Sequence, residues 1–412
     1  MKIIVVGGGI GGLSLAAGLK KNGFEVVVLE RDSDLSVTGG YHITLRKNVQ
    51  DALLKLLPKS NFDKILASSA DGKKRDADAF WDWRGRLFGV MKKLKDPGID
   101  IDRISLRILL GEAVSEMIML GRSCIGYEIK DDKVVAKLED GSLLTGDLLI
   151  GCDGTQSTIV KQLIGQTTNV PTGIVGISGR TPTINLNSNL RKKLGTRSSM
   201  AMGPGGVALY LGYFDPINHA VMNKPEIRAS TTKEATFIWG AMFPESKYTL
   251  ELKDKKGSDL QTATINNLKK RNWSSELLEV IAKSGTDDIA IYRFNAASSK
   301  PEEIAPWKPS RVIALGDAVH STPPTAGMGA GIAVLDAEDL VNELIKVRDT
   351  KKNLNLALGE FDERMRLRGS EAIVAALAVI KWIKFTDTFI GSILTKIFLP
   401  LMVFYSKVTG KK

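Results

Sequence analysis

The glycines and one carboxylate at the head of the chain have the spacing of a phosphate site. Gly7-Gly-Gly9-Ile10-Gly11-Gly12 satisfies G-x-G-x-x-G, follows the β-branched run Lys2–Val6 and opens a helix-like stretch from Leu13 to Asn22. In that setting Gly7 permits a tight turn, Gly9 the close approach of a pyrophosphate, and Gly12 the packing of helix on strand. Glu30 comes 18 residues after Gly12, with Arg31 beside it, at the end of the next strand-like run. A carboxylate there accepts the hydroxyls of a ribose. A second constellation, Gly316–Leu340, reads GDAVHSTPPTAGMGAGIAVLDAEDL and follows the strand-like Arg311–Leu315. Gly316-Asp317 puts a carboxylate at a strand end, where α/β sheets bind ligands. Pro323-Pro324 stiffens the turn, and Gly327, Gly329, Ala330 and Gly331 bring backbone N–H groups to a ligand where a helix begins. Such a helix N-terminus favours negative charge on a ring system placed against it.

These groups need a scaffold that holds strand ends and helix starts together. Lys2–Val6, Leu13–Asn22 and Phe24–Leu29 form a βαβ unit. Residues 101–120 have the periodicity of an amphipathic helix, and Val134–Leu138 with Leu143–Thr145 a hairpin about Asp140-Gly141. Leu148–Gly151 reads as a buried strand entering Cys152-Asp153-Gly154. Beyond about residue 170, Gly173–Gly179, Val207–Tyr213 and Ala235–Phe243 have strand character, and helical sequence follows around Asp259–Ser284. The expected fold is α/β: a discontinuous Rossmann-type domain (1–170 and 291–345), an inserted mixed or antiparallel β-sheet domain (171–290) and C-terminal helices (346–412).

The bulk properties exclude several classes. The 412 residues can bury a sizeable core, and 43% hydrophobic with 25% charged residues is ordinary for a globular protein. A net charge of +11 is spread without a nucleic-acid-binding signature, so no nucleic-acid partner is expected. The three histidines, His42, His219 and His320, are too dispersed for a metal site, and Cys124 and Cys152 read as free thiols in a reducing compartment. A strand beginning at Lys2 leaves no room for a signal peptide, so a cytoplasmic protein is expected. The apolar run Phe385–Tyr405, broken by Asp387, Lys396 and Pro400, admits three readings: packing on the protein, the first choice; peripheral membrane association; or a span.

The chain resembles the class A FAD-dependent monooxygenases, the family of aromatic-ring hydroxylases such as salicylate hydroxylase, with tetracycline-inactivating relatives. The resemblance rests on the glycine motif with Glu30, on Gly151-Cys-Asp153-Gly154-Thr-Gln-Ser157, and on the GD…P…G stretch with its tail Asp336-Ala337-Glu338-Asp339-Leu340. Asp102-Arg103 and Gly40-Tyr-His-Ile-Thr-Leu45 add weaker matches. It implies FAD as cofactor and NAD(P)H as electron donor. Glu30 is then placed at the adenosine ribose, Arg103 at the ribityl–pyrophosphate region, Asp317 at the ribityl hydroxyls, and Pro324 with the Gly327–Gly331 backbone against the isoalloxazine ring. Asp153 would serve the pyrophosphate and the nicotinamide cofactor, or simply a turn. The family's arginine seven residues after that aspartate is replaced by Val160, with Lys161 next.

The activity implied is hydroxylation or epoxidation of a hydrophobic aromatic or polycyclic molecule by O₂ through a flavin C4a-hydroperoxide. The chemistry lies on the flavin, so no catalytic side chain is assigned; His42 is a near-flavin candidate and His320 a structural neighbour. Arg180, Tyr210, Trp239 and Phe243 are candidates for lining the substrate cavity. Trp81-Asp-Trp83 lacks the Ile-Pro of the flavin-dependent halogenases. Two alternatives stay open: a flavin-dependent reductase of a prenyl or polyene substrate, and a non-catalytic FAD-binding, membrane-associated protein. Oligomeric state is not specified by any motif.

Overall fold

The computed structural model describes residues 1–37, 42–71, 75–91, 95, 98–215, 234–287 and 289–409. Gly40 and Tyr41 of the expected near-flavin motif lie outside them.

The nucleotide-binding core is a five-stranded sheet, ordered β18 (Val312–Ala314), β12 (Leu148–Gly151), β1 (Lys2–Val6), β2 (Glu25–Leu29), β8 (Ile118–Met119), parallel throughout. Its central strands are near-continuous Val, Ile and Leu because both faces are covered, the usual state of a parallel sheet. Helix α1 (Ile10–Lys21) lies against the sheet, and α2 (Lys47–Leu56) packs on α1 through Val49, Ala52, Leu53 and Leu56, one helical face. Gly18 permits that contact: a Cβ there would lie 2.3 Å from Leu56. Helix α3 (Lys59–Ala67) follows, then α4 (Arg103–Glu112) and α5 (Thr158–Ile164).

The expected 101–120 helix is only its first half. Residues Ile99–Asp102 are instead β7, the middle strand of a small sheet between β3 (His42–Leu45) and β4 (Ala70–Asp71). Asp102 then caps α4, accepting from the Ile104 and Ser105 N–H groups at 2.9 and 3.0 Å. The predicted hairpin is present as β10 (Lys133–Leu138) and β11 (Leu143–Gly146), extended by β9 (Cys124–Lys130).

A seven-stranded sheet forms the second layer, ordered β17 (Ala290–Ala296), β13 (Val170–Pro182), β16 (Thr236–Pro244), β15 (Val207–Phe214), β14 (Ser199–Gly203), β5 (Ala79–Asp82), β6 (Leu87–Val90). It is not confined to the expected insertion, because β5 comes from the N-terminal part and pairs parallel with β14. Helices α6 (Ser188–Leu194), α7 (Lys247–Glu251), α8 (Gly257–Lys270) and α9 (Ser275–Ala282) follow the strands of this layer. One sheet face is sealed by a core containing Leu260, Leu268, Leu277, Leu278 and Ile281 of α8 and α9, together with Leu190 and Leu194 of α6. Trp81 and Trp83 belong to that core, so their alternation reports packing. The chain then returns through β18 to α10 (Asp317–His320), α11 (Gly329–Thr350), α12 (Leu354–Asp387) and α13 (Phe389–Thr409).

Candidate functional site

The carboxyl ends of β1, β2, β12 and β18 meet at one edge of the parallel sheet. Gly7 N–H donates to the Leu29 carbonyl, Cys152 N–H to Val6 and Leu315 N–H to Gly151, at 2.8, 2.7 and 3.0 Å. These bonds bring the glycine motif, Glu30, the Asp-Gly motif and Gly316-Asp317 together from four separate stretches of sequence. The edge lies where the strand order leaves β1 in opposite directions, a general place for ligands in open α/β sheets.

Each glycine of the first motif has its own reason. A Cβ at Gly7 would lie 2.4 Å from the Cys152 carbonyl oxygen and one at Gly12 2.0 Å from the Gly7 carbonyl oxygen, so both are fixed by packing. Gly11 lies against Ala333 of α11. A Cβ at Gly9 meets nothing within 4 Å: the space over the start of α1 is open. Gly327, in the left-handed region at φ +60°, likewise faces open space at the approach to α11. Intrahelical bonding begins only at Leu13 N–H in α1 and Ile332 N–H in α11. Two helix starts therefore offer free N–H groups and positive ends to a ligand at the same edge.

Carboxylates stand at the two ends of this edge. Glu30 is buried; its Oε2 accepts from Gly8 N–H at 2.6 Å and its Oε1 from Asp32 N–H at 2.8 Å. Arg31 points to solvent beside it. Asp317, at the start of α10, is exposed to solvent, although protein atoms gather around its carboxyl. That crowding pushes its carboxyl above the ordinary range, against the opposing pull of His320 and Arg103. Arg103 occupies the first position of α4, and its charge acts on the Asp317 carboxyl. Gly329 leaves room for the carboxylate, since a Cβ there would lie 3.4 Å from Asp317 Oδ1. Pro324 is exposed at the start of a short 3₁₀ turn, and Ala330 and Gly331 lie in the first turn of α11.

Arg107, one helical turn after Arg103, is a site residue that sequence reasoning missed. Its side chain is buried; Nε donates to the Gly8 carbonyl at 2.8 Å, Nη2 lies 3.0 Å from Glu30 Oε2, and Nη1 reaches Asp32 at 3.0 Å. It ties the glycine turn to the Glu30 carboxylate. The available signal was a charged residue on the apolar side of a helix, at i+4 from a motif arginine.

The Asp-Gly motif has a local task. The Asp153 carboxylate accepts from Thr158 and Ile159 N–H at 2.7 and 3.3 Å and from Ser157 Oγ, capping α5. Burial nonetheless leaves its carboxyl raised. Val160, in the place of the family's arginine, is buried, and Lys161 is exposed. His320 is also structural: its Nε2 lies 2.5 Å from Asp336 Oδ2, with both side chains buried. Burial works against the imidazolium, but Asp336 outweighs it and raises the histidine. Asp336 and Asp339 pair with Arg368, and Asp339 with Arg364, so the tail of the motif fastens α11 to α12.

Facing this edge is one side of the seven-stranded sheet. Arg180, Tyr210 and Gly212 share that side, which meets His42 of β3. A Cβ at Gly212 would lie 2.7 Å from the Tyr210 hydroxyl and 2.9 Å from His42 Cε1. His42 stacks on Phe214 with ring centroids 5.6 Å apart, and its buried Nδ1 has no hydrogen-bond partner. Burial lowers its pKa, opposed by Asp100 and Asp102 and reinforced by Arg75 and Arg180. Arg180 reaches Asp102 at 3.5 Å, joining the sheet to the cap of α4. Trp239 and Phe243 are corrections. They alternate onto the opposite face and are buried against the α8–α9 side, where they cannot line this cavity.

A model of the FAD binding domain family matches residues 124–357, and the chain belongs to that family. A model of the NAD(P)-binding Rossmann-like domain matches residues 5–44. The chain is 27% identical over 407 residues to a dual O-methyltransferase/FAD-dependent monooxygenase of Cercospora beticola, covering 90% of this chain and 45% of that protein. It is 28% identical over 363 residues to the chloroplastic zeaxanthin epoxidase of Solanum lycopersicum, covering 84% and 48%. The chain thus spans about half the length of the curated relatives it matches. Klebsiella pneumoniae HpxO, solved with FAD and uric acid, shares its fold at a TM-score of 0.72 and 20% identity, covering 98% of this chain and 92% of that one.

Proposed function

We propose that the chain is an FAD-dependent monooxygenase that takes electrons from NAD(P)H and hydroxylates or epoxidises a hydrophobic aromatic or polycyclic molecule with O₂. The observation that carries this reading is Asp317: a solvent-reachable carboxylate after the end of β18, under the charge of Arg103 and against Gly329 at the N-terminus of α11. The open space over Gly9 and Gly327 fits a pyrophosphate and a flat ring lying against backbone. In this reading Glu30 takes the adenosine ribose, the α1 N-terminus the pyrophosphate, and Asp317 with Arg103 the ribityl chain. The bound cofactor would supply the electron transfer from NAD(P)H and the activation of O₂.

The protein's own residues orient and enclose. The start of α11 stabilises negative charge on a ring packed against it. Arg180, Tyr210, Phe214 and His42 offer the substrate a wall that is apolar with a few convergent polar atoms, His42 Nδ1 among them. Relatives named as a monooxygenase and as an epoxidase support oxygen insertion over the reductase reading. Free Cys124 and Cys152, both thiols pushed above their ordinary range by burial, are compatible with the reducing, cytoplasmic setting proposed for the chain.

The test is to load the purified chain with FAD and screen apolar aromatic compounds for stimulated NAD(P)H and O₂ consumption, then look for ¹⁸O from ¹⁸O₂ in the product. Turnover that proceeds anaerobically without label would replace this function by the reductase one.

A further inference from the structure

We propose that α13 is an interfacial helix that lays one apolar face on an anionic lipid bilayer. The helix crosses the edge of the seven-stranded sheet, packing on β6, β14 and α12. Only a narrow stripe faces the protein: Thr395, Leu399 and Val403, spaced by four, are buried. On the other side Phe389, Ile393, Ile397, Leu401, Phe404 and Val408 follow helical spacing and are all exposed, Phe389 by 81%. Further exposed Ile, Leu, Phe and Tyr side chains flank that row, so about half the circumference is apolar and uncovered. Single apolar residues on a surface are ordinary, whereas a whole helix face marks an interaction surface.

The orientation is built in. The chain bends by 101° between α12 and α13. Gly391 makes the bend: a Cβ there would lie 1.9 Å from the Phe385 carbonyl oxygen, and its N–H donates to Thr388 Oγ1 at 3.0 Å. The helix is therefore held flat along the body. Among the described residues no single helix is long and apolar enough to cross a membrane, and the bent pair α12–α13 reaches that length and composition only together; the packing of α13 along β6 and β14 is what places it in the interface. The sequence expectation that this segment packs on the protein is met by the buried stripe alone.

Charge selects lipid over a second copy of the chain. No acidic residue occurs from Phe389 to the end, while Lys396 on α13 and Lys381 and Lys384 in the last turns of α12 are exposed. A twofold contact through this face would bring the lysines toward their own copies, while anionic headgroups complement them.

The experiment is sedimentation of the FAD-loaded full chain with phosphatidylcholine vesicles and with phosphatidylcholine–phosphatidylglycerol vesicles. The chain should pellet with the anionic vesicles and be released as salt rises. Ile393→Ser/Ile397→Ser/Leu401→Ser, all exposed positions, should lower the partition coefficient by about a hundredfold with FAD content and circular dichroism unchanged. Lys384→Glu/Lys396→Glu should abolish the preference for the anionic vesicles. The proposal is overturned if the wild-type chain stays in the supernatant with both vesicle types. It is equally overturned if light scattering shows a dimer that the triple serine variant converts to monomer while vesicles bind neither.

Discussion

Arg107 Nη2 and Glu30 Oε2 lie 3.0 Å apart, both side chains buried, at the point where the glycine turn meets the end of β2. The same guanidinium holds the Gly8 carbonyl. A buried carboxylate thus has its counter-ion supplied from α4, in the position proposed for the adenosine ribose. Removing one member strands the other, which typically costs about 3–5 kcal/mol. Arg107→Ala should therefore lower the urea midpoint markedly and weaken FAD binding with it. Arg107→Lys keeps the charge but not the fork, and should recover stability more than affinity. Chemical denaturation and FAD fluorescence titration on both variants separate the two effects.

Asp317 is the opposite case, since its carboxylate is exposed and does not hold the fold. Asp317→Ala should leave Tm within about 2 °C of wild type, surface changes lying within about 0.5 kcal/mol. FAD affinity should fall about ten- to a hundredfold, the worth of hydrogen bonds to a charged group. A variant that purifies with full flavin content would remove Asp317 from the ribityl site.

The glycine motif offers a paired test. A Cβ at Gly12 would collide with the Gly7 carbonyl at 2.0 Å, so Gly12→Ala should fold poorly or not at all. Gly9, at φ −79°, has open space where its Cβ would be, so Gly9→Ala should fold with wild-type Tm yet exclude FAD. Thermal melts and the flavin-to-protein absorbance ratio distinguish these. A Gly9→Ala protein with full flavin content would mean that the pyrophosphate does not approach there.

The sequence carried the strand-end architecture well because buried parallel strands, glycine turns and helix starts are local patterns. It carried less wherever tertiary parity decided. Alternation in Ala235–Phe243 announces two faces but not which one meets the cofactor edge, and Trp239 and Phe243 fell on the core side while Tyr210 and Arg180 fell on the other. The helix expected over 101–120 was cut because Ile99–Asp102 found a strand partner in His42–Leu45, 54 to 60 residues earlier. Arg107 was legible only as a misplaced charge, since its partners at Gly8, Glu30 and Asp32 are far away in sequence.

Asp362, on α12, supplies a pH test outside the site. Its side chain is buried, neither carboxylate oxygen has a hydrogen-bond partner, and Trp307 and Arg366 are its polar neighbours. Burial pushes its carboxyl up to about 7, only partly countered by Arg366 and Trp307. An acid whose folded pKa exceeds its unfolded value binds more protons in the native state, so stability falls as pH rises through the gap. Here the loss begins near 3.8, is complete above about 7, and is bounded at about 4 kcal/mol. Asp362→Asn keeps the shape without the ionisation. It should already exceed wild type slightly at pH 5, exceed it more in Tm at pH 8, and flatten the slope between them. Parallel melts of both proteins across pH 5–8 decide it: curves that stay parallel would mean Asp362 is charged throughout the range.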